Sequence, residues 1–254
     1  MQLSEFSRAG AVSFSILVAL SPLSAQAATL SDLVSGGSLT EGDVVFDNFV
    51  FNDRFLEDFT GDPDTETPYP GDRPVAASEI EITTSSTAGT VSLTASIDPA
   101  ISIADAASPT LDHIFEFLLD FTVSVAAPSS RQIVGASLGG GDLSASGDAV
   151  SEVRYAPGGF AIAGDRLEIF EAPGFTPSSA TFDTQSFAAT SSILFEGSIE
   201  GNTGPGGTAG LSTFTLTFDL VGDPPGPGVV PVPATLPLML GALAGFGFLR
   251  RRRG

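Results

Sequence analysis

The chain contains no cysteine, no tryptophan and no lysine, and it has a single histidine, His113. Without cysteine there is no disulfide framework, no thiol nucleophile and no thiolate metal site, so stability must come from a packed core. The most usual sugar-stacking platform is missing with tryptophan, which leaves Tyr69 and Tyr155 as the polar aromatics. With one imidazole and no thiolate, a zinc site would need carboxylates almost alone, a poor match to the usual ligand sets. Positive charge is scarce too. All ten basic residues are arginine, and Arg250, Arg251, Arg252 and Arg253 account for four of them. Between Thr29 and Val229 only five arginines (Arg54, Arg73, Arg131, Arg154 and Arg166) stand against 29 carboxylates. Such a surface repels nucleic acid and anionic lipid headgroups, keeps an exported protein soluble, and attracts cations or basic partners.

What is present is Gly, Ser, Thr and Phe, arranged with the two-residue alternation of strands. Over Thr90–Ile97 the alternation is unbroken, with Val91, Leu93, Ala95 and Ile97 on one side. Phe115–Val125 places Phe115, Phe117, Leu119, Phe121, Val123 and Val125 on one greasy face, opposite Glu116, Leu118, Asp120, Thr122 and Ser124. Leu211–Val221 alternates Phe214, Leu216, Phe218 and Leu220 with threonines and Asp219. Weaker segments are Val44–Phe51, Glu79–Thr83, Ile133–Leu138, Val150–Tyr155, Arg166–Phe170, Thr181–Phe187 and Ser191–Ile199. A short helical turn over Leu30–Val34 is stopped by Gly36-Gly37. No segment between the strands is long enough for a helical crossover. The expectation is an all-β domain over residues 28–221, an antiparallel, jelly-roll-like β-sandwich of about ten strands. Glu57–Pro74 is an acidic, Pro-rich loop, and Gly139–Gly147 and Gly201–Gly210 read as flexible turns. Residues 222–229 form a Pro/Gly linker.

Both ends carry targeting patterns. Residues 1–27 read as a secretory signal peptide: Arg8, the apolar run Ala9–Leu20, and the small-residue pattern Ala25-Gln26-Ala27, with cleavage expected after Ala27. At the other end, residues 230–254 hold Val230-Pro231-Val232-Pro233-Ala234, an apolar segment from Leu236 through Leu238 to Leu249, and the four terminal arginines. As a helix, Leu236–Leu249 covers only about 21 Å, short of the ~30 Å hydrocarbon core unless its flanks extend it. The arginines keep that end cytoplasmic and place the β domain outside. Gly241 and Gly245 make a face where another helix can approach closely.

This three-part layout resembles the PEP-CTERM class of sorting signals of Gram-negative bacteria, in its VPLPA variant, with Val232 standing where that variant usually has Leu. The resemblance covers about 25 residues. It implies recognition of the helix by an exosortase, a membrane-embedded transpeptidase-like enzyme, and removal of the tail at Val230–Ala234. It also implies passage through the inner membrane, with Arg250–Arg253 as the retention stop, and delivery to the cell surface or an exopolysaccharide matrix. The opening Leu30–Leu33, Gly36-Gly37-Ser38, Gly42-Asp43 and Phe46–Phe49 is similar to that of other exported proteins of the class, and it implies no activity.

The chemistry-bearing candidates are few. A Ser–His–Asp arrangement would have to use His113, which opens a strand without any nucleophile-elbow pattern and reads as a surface or strand-end histidine. Asp58, Asp62, Asp64 and Glu66 sit in one loop with the oxygen chemistry that calcium prefers, but match no twelve-residue calcium loop. Paired carboxylates for glycoside hydrolysis cannot be singled out among so many acids. The expectation is therefore a non-enzymatic surface or matrix protein of structural or adhesive character, without a cofactor. The alternatives are a carbohydrate- or Ca²⁺-binding module and, more remotely, a carboxylate glycosidase.

Overall fold

The computed structural model describes residues 26–53, 72–104, 113–160 and 166–223. In chain order its elements are β1 (Ala27–Thr29), the helix α1 (Leu30–Val34), β2 (Leu39–Glu41) and β3 (Val44–Asp53). A 3-10 turn at Ala77–Glu79 leads into β4 (Ile80–Ser86), followed by β5 (Thr90–Ala104), β6 (Ile114–Val125), β7 (Gln132–Gly139) and β8 (Leu143–Ser146). Then come β9 (Val150–Pro157), β10 (Leu167–Glu171), β11 (Ser179–Ala180), β12 (Phe182–Thr190), β13 (Ser192–Asn202) and β14 (Thr208–Val221). The ten strands of five residues or more coincide with the ten segments that alternation marks. The four others, β1, β2, β8 and β11, have two to four residues, too few to show a period. Helix α1 starts where Thr29 accepts a hydrogen bond from the Asp32 N–H, and its first turn holds the acidic side chain that an N-terminus favours.

The strands form two sheets, ordered β1-β4-β5-β14-β7-β12 and β11-β10-β9-β13-β6-β3-β2, with every pairing antiparallel. One expectation is corrected here. The Gly139–Gly147 stretch is not simply a flexible turn, because it contains β8. A register shift between Leu211 and Thr213 bends β14, and its first residues pair with β5 on one edge and β8 on the other. The Gly201–Gly210 stretch also shrinks, since Gly201 and Asn202 end β13 and β14 begins at Thr208.

The inward faces meet in an aromatic core. Phe46, Phe121 and Phe195 of the second sheet surround Phe218 of the first, with ring centroids 5.7, 6.2 and 5.0 Å away. Tyr155 packs on Phe214 at 5.8 Å. All six rings are fully buried. Each such side chain contributes about 1.5–3 kcal/mol relative to exposure. One end of the sandwich is tied by a buried ion pair: Arg131 donates to Asp43 at 3.0 Å and to the Ala88 carbonyl at 3.3 Å. Three connections are thereby joined at one guanidinium. At the side, the edge strand β12 turns Asp183 toward β10, where its carboxylate accepts the Glu168 N–H at 3.0 Å. An inward charge on an edge strand discourages pairing with another chain.

Most inward positions of the described strands are apolar, so most of their charged side chains lie on the two outer faces.

Candidate functional site: the carboxylate face of the second sheet

Alternation sends every second residue of β6, β9, β10 and β13 outward, and register then decides which of them become neighbours. Glu116 of β6 lies opposite Glu200 of β13, which lies opposite Glu152 of β9. Two rows along, Val50 of β3 lies opposite Asp120 of β6. Between these rows, Arg154 of β9 is flanked by Ser198 and Glu168. Like charges directly opposite one another on a sheet destabilise it, so this carboxylate row is an expensive arrangement. Arg154 offsets part of it. Its Nη2 donates to Glu152 at 2.5 Å and to Glu200 at 2.7 Å, and its Nε donates to Glu152 as well.

Burial sets the protonation behaviour. Removal from water pushes the Glu200 carboxyl above its usual range, with the Glu152 charge adding to this and Arg154 opposing it. Glu168 is raised by burial and by the Glu152 charge, against Arg154 and Arg166. Asp120 is raised by burial and by Glu196, and lowered by the Gly197 N–H that donates to it at 3.0 Å. The hydrogen bond to Glu152 leads the causes that hold the Arg154 guanidinium charged.

Arg154 donates to both Glu152 and Glu200, so its guanidinium stands between the two carboxylates. Among the described residues no group of three or more His, Asp or Glu is placed to hold a metal ion.

His113 precedes β6, and it is a strand-end residue rather than a surface one, with its side chain 13% exposed. Its N–H donates to the Thr203 hydroxyl at 3.0 Å, and its carbonyl accepts the Thr203 N–H at 2.9 Å. Nδ1 lies 3.8 Å from an Asp72 carboxylate oxygen and accepts no hydroxyl hydrogen bond from the described residues. Among the described residues the imidazole therefore has an acid beside it but no nucleophile on Nδ1.

Asp58, Asp62, Asp64 and Glu66 lie outside the described residues, as do Ala25, Val230–Ala234, Leu236–Leu249 and Arg250–Arg253. Ala27 is described, and it pairs with Thr83 in β1. No helix among the described residues is long and apolar enough to cross a membrane. Sequence reasoning missed the row itself. Alternation put Glu116 and Asp120 on the outward side of β6, but nothing in the spacing says that β13 and β9 follow beside it.

No model of a protein family matches the sequence, and no curated protein matches it. Among solved structures, TmCBM61 in complex with beta-1,4-galactotriose is 14% identical over 53% of this chain and 85% of that chain, with a TM-score of 0.21. A likeness of that size assigns neither a fold nor a ligand to this chain.

Proposed function

We propose that the protein is an exported structural or adhesive component of the cell surface or an exopolysaccharide matrix, sorted by its C-terminal signal. The observation that carries this reading is the pairing of a secretory pattern over residues 1–27 with Val230–Ala234, the apolar Leu236–Leu249 and Arg250–Arg253. Between them the chain continues as strand to Val221, so the Pro/Gly linker begins where the sandwich ends. The partner this reading implies for the tail is an exosortase-type membrane transpeptidase. The strands that switch sheets in succession, β5 to β6 and β6 to β7, favour the jelly-roll-like description of the sandwich. The reading is non-enzymatic, which the occupied space between Glu152 and Glu200 favours over a glycosidase.

Deletion of residues 230–253 tests the sorting signal. The truncated protein is expected in a different cell fraction from the full chain, and identical fractionation defeats the proposal. Mass spectrometry of the mature C-terminus is sharper, because an intact Arg250–Arg253 leaves only an uncleaved anchor. A calcium-binding role for the loop holding Asp58, Asp62, Asp64 and Glu66 predicts a higher Tm with calcium, since a ligand preferring the native state stabilises it. An unchanged Tm at millimolar calcium removes that version.

A further inference from the structure

We propose that the outward face of the first sheet binds a neutral polysaccharide, with the Phe182 ring as its stacking platform and the surrounding Ser and Thr hydroxyls as hydrogen-bonding partners. The proposal deepens the matrix-associated reading by naming the chemistry this face holds, and it rests on that reading for its biological setting.

Two adjacent rows cross five strands of the sheet. One runs Thr83, Thr94, Thr215, Gly139, Phe182, and the other Ser85, Ser92, Thr217, Ser137, Thr184. Hydroxyls fill all of these positions except the glycine and the phenylalanine, and none is charged. The next rows bring the first charges, Glu81 beside Ser96 and Asp219 beside Thr90. In a chain of net charge −20, an uncharged patch this wide is where a polymer without charge meets least competition from bound counterions. Across five strands at about 4.8 Å spacing the rows extend roughly 19 Å, a length suited to an oligosaccharide rather than a single sugar.

The hydroxyls are already oriented. Ser92 is hydrogen-bonded to Thr217 at 2.9 Å, and Thr94 to Thr215 at 2.9 Å. Each hydroxyl has one donor and two acceptor positions, so every such pair keeps a donor and acceptors for a ligand. Phe182 supplies the complement. The residue is 63% exposed, and its ring lies over Gly139, where a Cβ would be 2.8 Å from a ring carbon. A pyranose has an apolar C–H face and a rim of hydroxyls, and this surface presents a ring beside a field of hydroxyls. Uronates and sulfated chains meet Glu81 and Asp219 at the border and are repelled. A second copy of the chain brings its own negative charge, which opposes self-pairing through this face.

The test uses the full chain, expressed with its export signals and purified from the fraction where cells leave it. It is run by affinity electrophoresis through gels carrying a β-glucan, a galactan, a mannan or the anionic polygalacturonate. The expected result is retardation by at least one neutral polysaccharide and not by polygalacturonate. Phe182→Ala is expected to weaken binding roughly tenfold, the size of one lost stacking contact. The paired Thr94→Val and Thr215→Val replacement, which keeps the strand shape, should weaken it several-fold. Phe175→Ala is expected to bind as the wild type does, since Phe175 is 58% exposed in the turn between β10 and β11 of the other sheet. Three results overturn the proposal: no retardation by any neutral polysaccharide, equal retardation of the Phe182→Ala protein, or retardation that tracks self-association. Unchanged fractionation on deleting residues 230–253 defeats the sorting reading alone, and loss of glycan binding with sorting intact defeats this inference alone.

Discussion

Tyr155 shows how much a single residue can set against the core that holds it. The ring is fully buried against Phe121 and Phe214, yet its hydroxyl has no hydrogen-bond partner among the described residues. Burial, helped by the Asp120 charge, holds that hydroxyl protonated far into the alkaline range. An unsatisfied buried polar group costs about 1–3 kcal/mol, so Tyr155→Phe should stabilise the protein by about 1 kcal/mol. A urea midpoint that moves up at constant slope is the expected result, and one that moves down means the hydroxyl is satisfied. Gly201 makes the opposite case. A Cβ there would run into the Phe115 ring, so Gly201→Ala should destabilise by about 1–3 kcal/mol in the same measurement.

At the scale of elements, legibility followed the regularity of the ladder. Strands β5 and β6 keep their parity through the segments that alternation marked, as β14 does from Phe214 to Leu220, and there the buried side was named correctly from the sequence. Strand β3 read more weakly because its parity changes inside the strand. Val44 and Phe46 are buried, then Phe49 is, and the register shifts between Asp47 and Val50. Asn48 absorbs the extra residue with φ +54°, and its side-chain amide donates to Asp47 at 3.0 Å. That left-handed conformation suits Asn or Gly and costs a β-branched residue about 1–2 kcal/mol. Asn48→Val should therefore lower the Tm clearly, while Asn48→Gly should change it little; equal effects would mean the bulge relaxes. Strand β8 was illegible for another reason, since its glycine-rich flanks read as a turn and only the bend of β14 supplies it with a partner. The carboxylate row was hidden in the same way. Its members were visible, whereas their adjacency is created by strand order.

For the whole molecule, the surroundings of the carboxyls become a pH dependence. Burial is the leading cause that raises the carboxyls of Asp53, Asp120, Glu168 and Glu200 above their usual range. When the folded value lies above the unfolded one, ionisation is harder in the folded state, so these groups oppose folding at neutral pH. As pH falls through their folded values the native state takes up protons first, and stability rises until the unfolded chain is protonated too. Glu79 works the other way. The hydrogen bond from Arg73 lowers it, so its contribution is present at neutral pH and is lost as pH falls through its folded value. Among the described carboxyls four raised groups stand against one lowered, and together with a net charge of −20 that repels itself they place maximum stability on the acid side of neutrality. The Tm should climb as pH is lowered from 7 to about 5, then fall as the Glu79 carboxylate paired with Arg73 protonates. Added salt should raise the Tm at pH 7 and have less effect near the maximum, because screening relieves only charge that is still there. Glu200→Gln removes one of the opposing groups while keeping a polar partner for Arg154, so it should flatten the climb. A Tm that falls steadily from neutral pH downward, in the parent and the variant alike, would show that the carboxylate face is stabilised by its charges rather than strained by them.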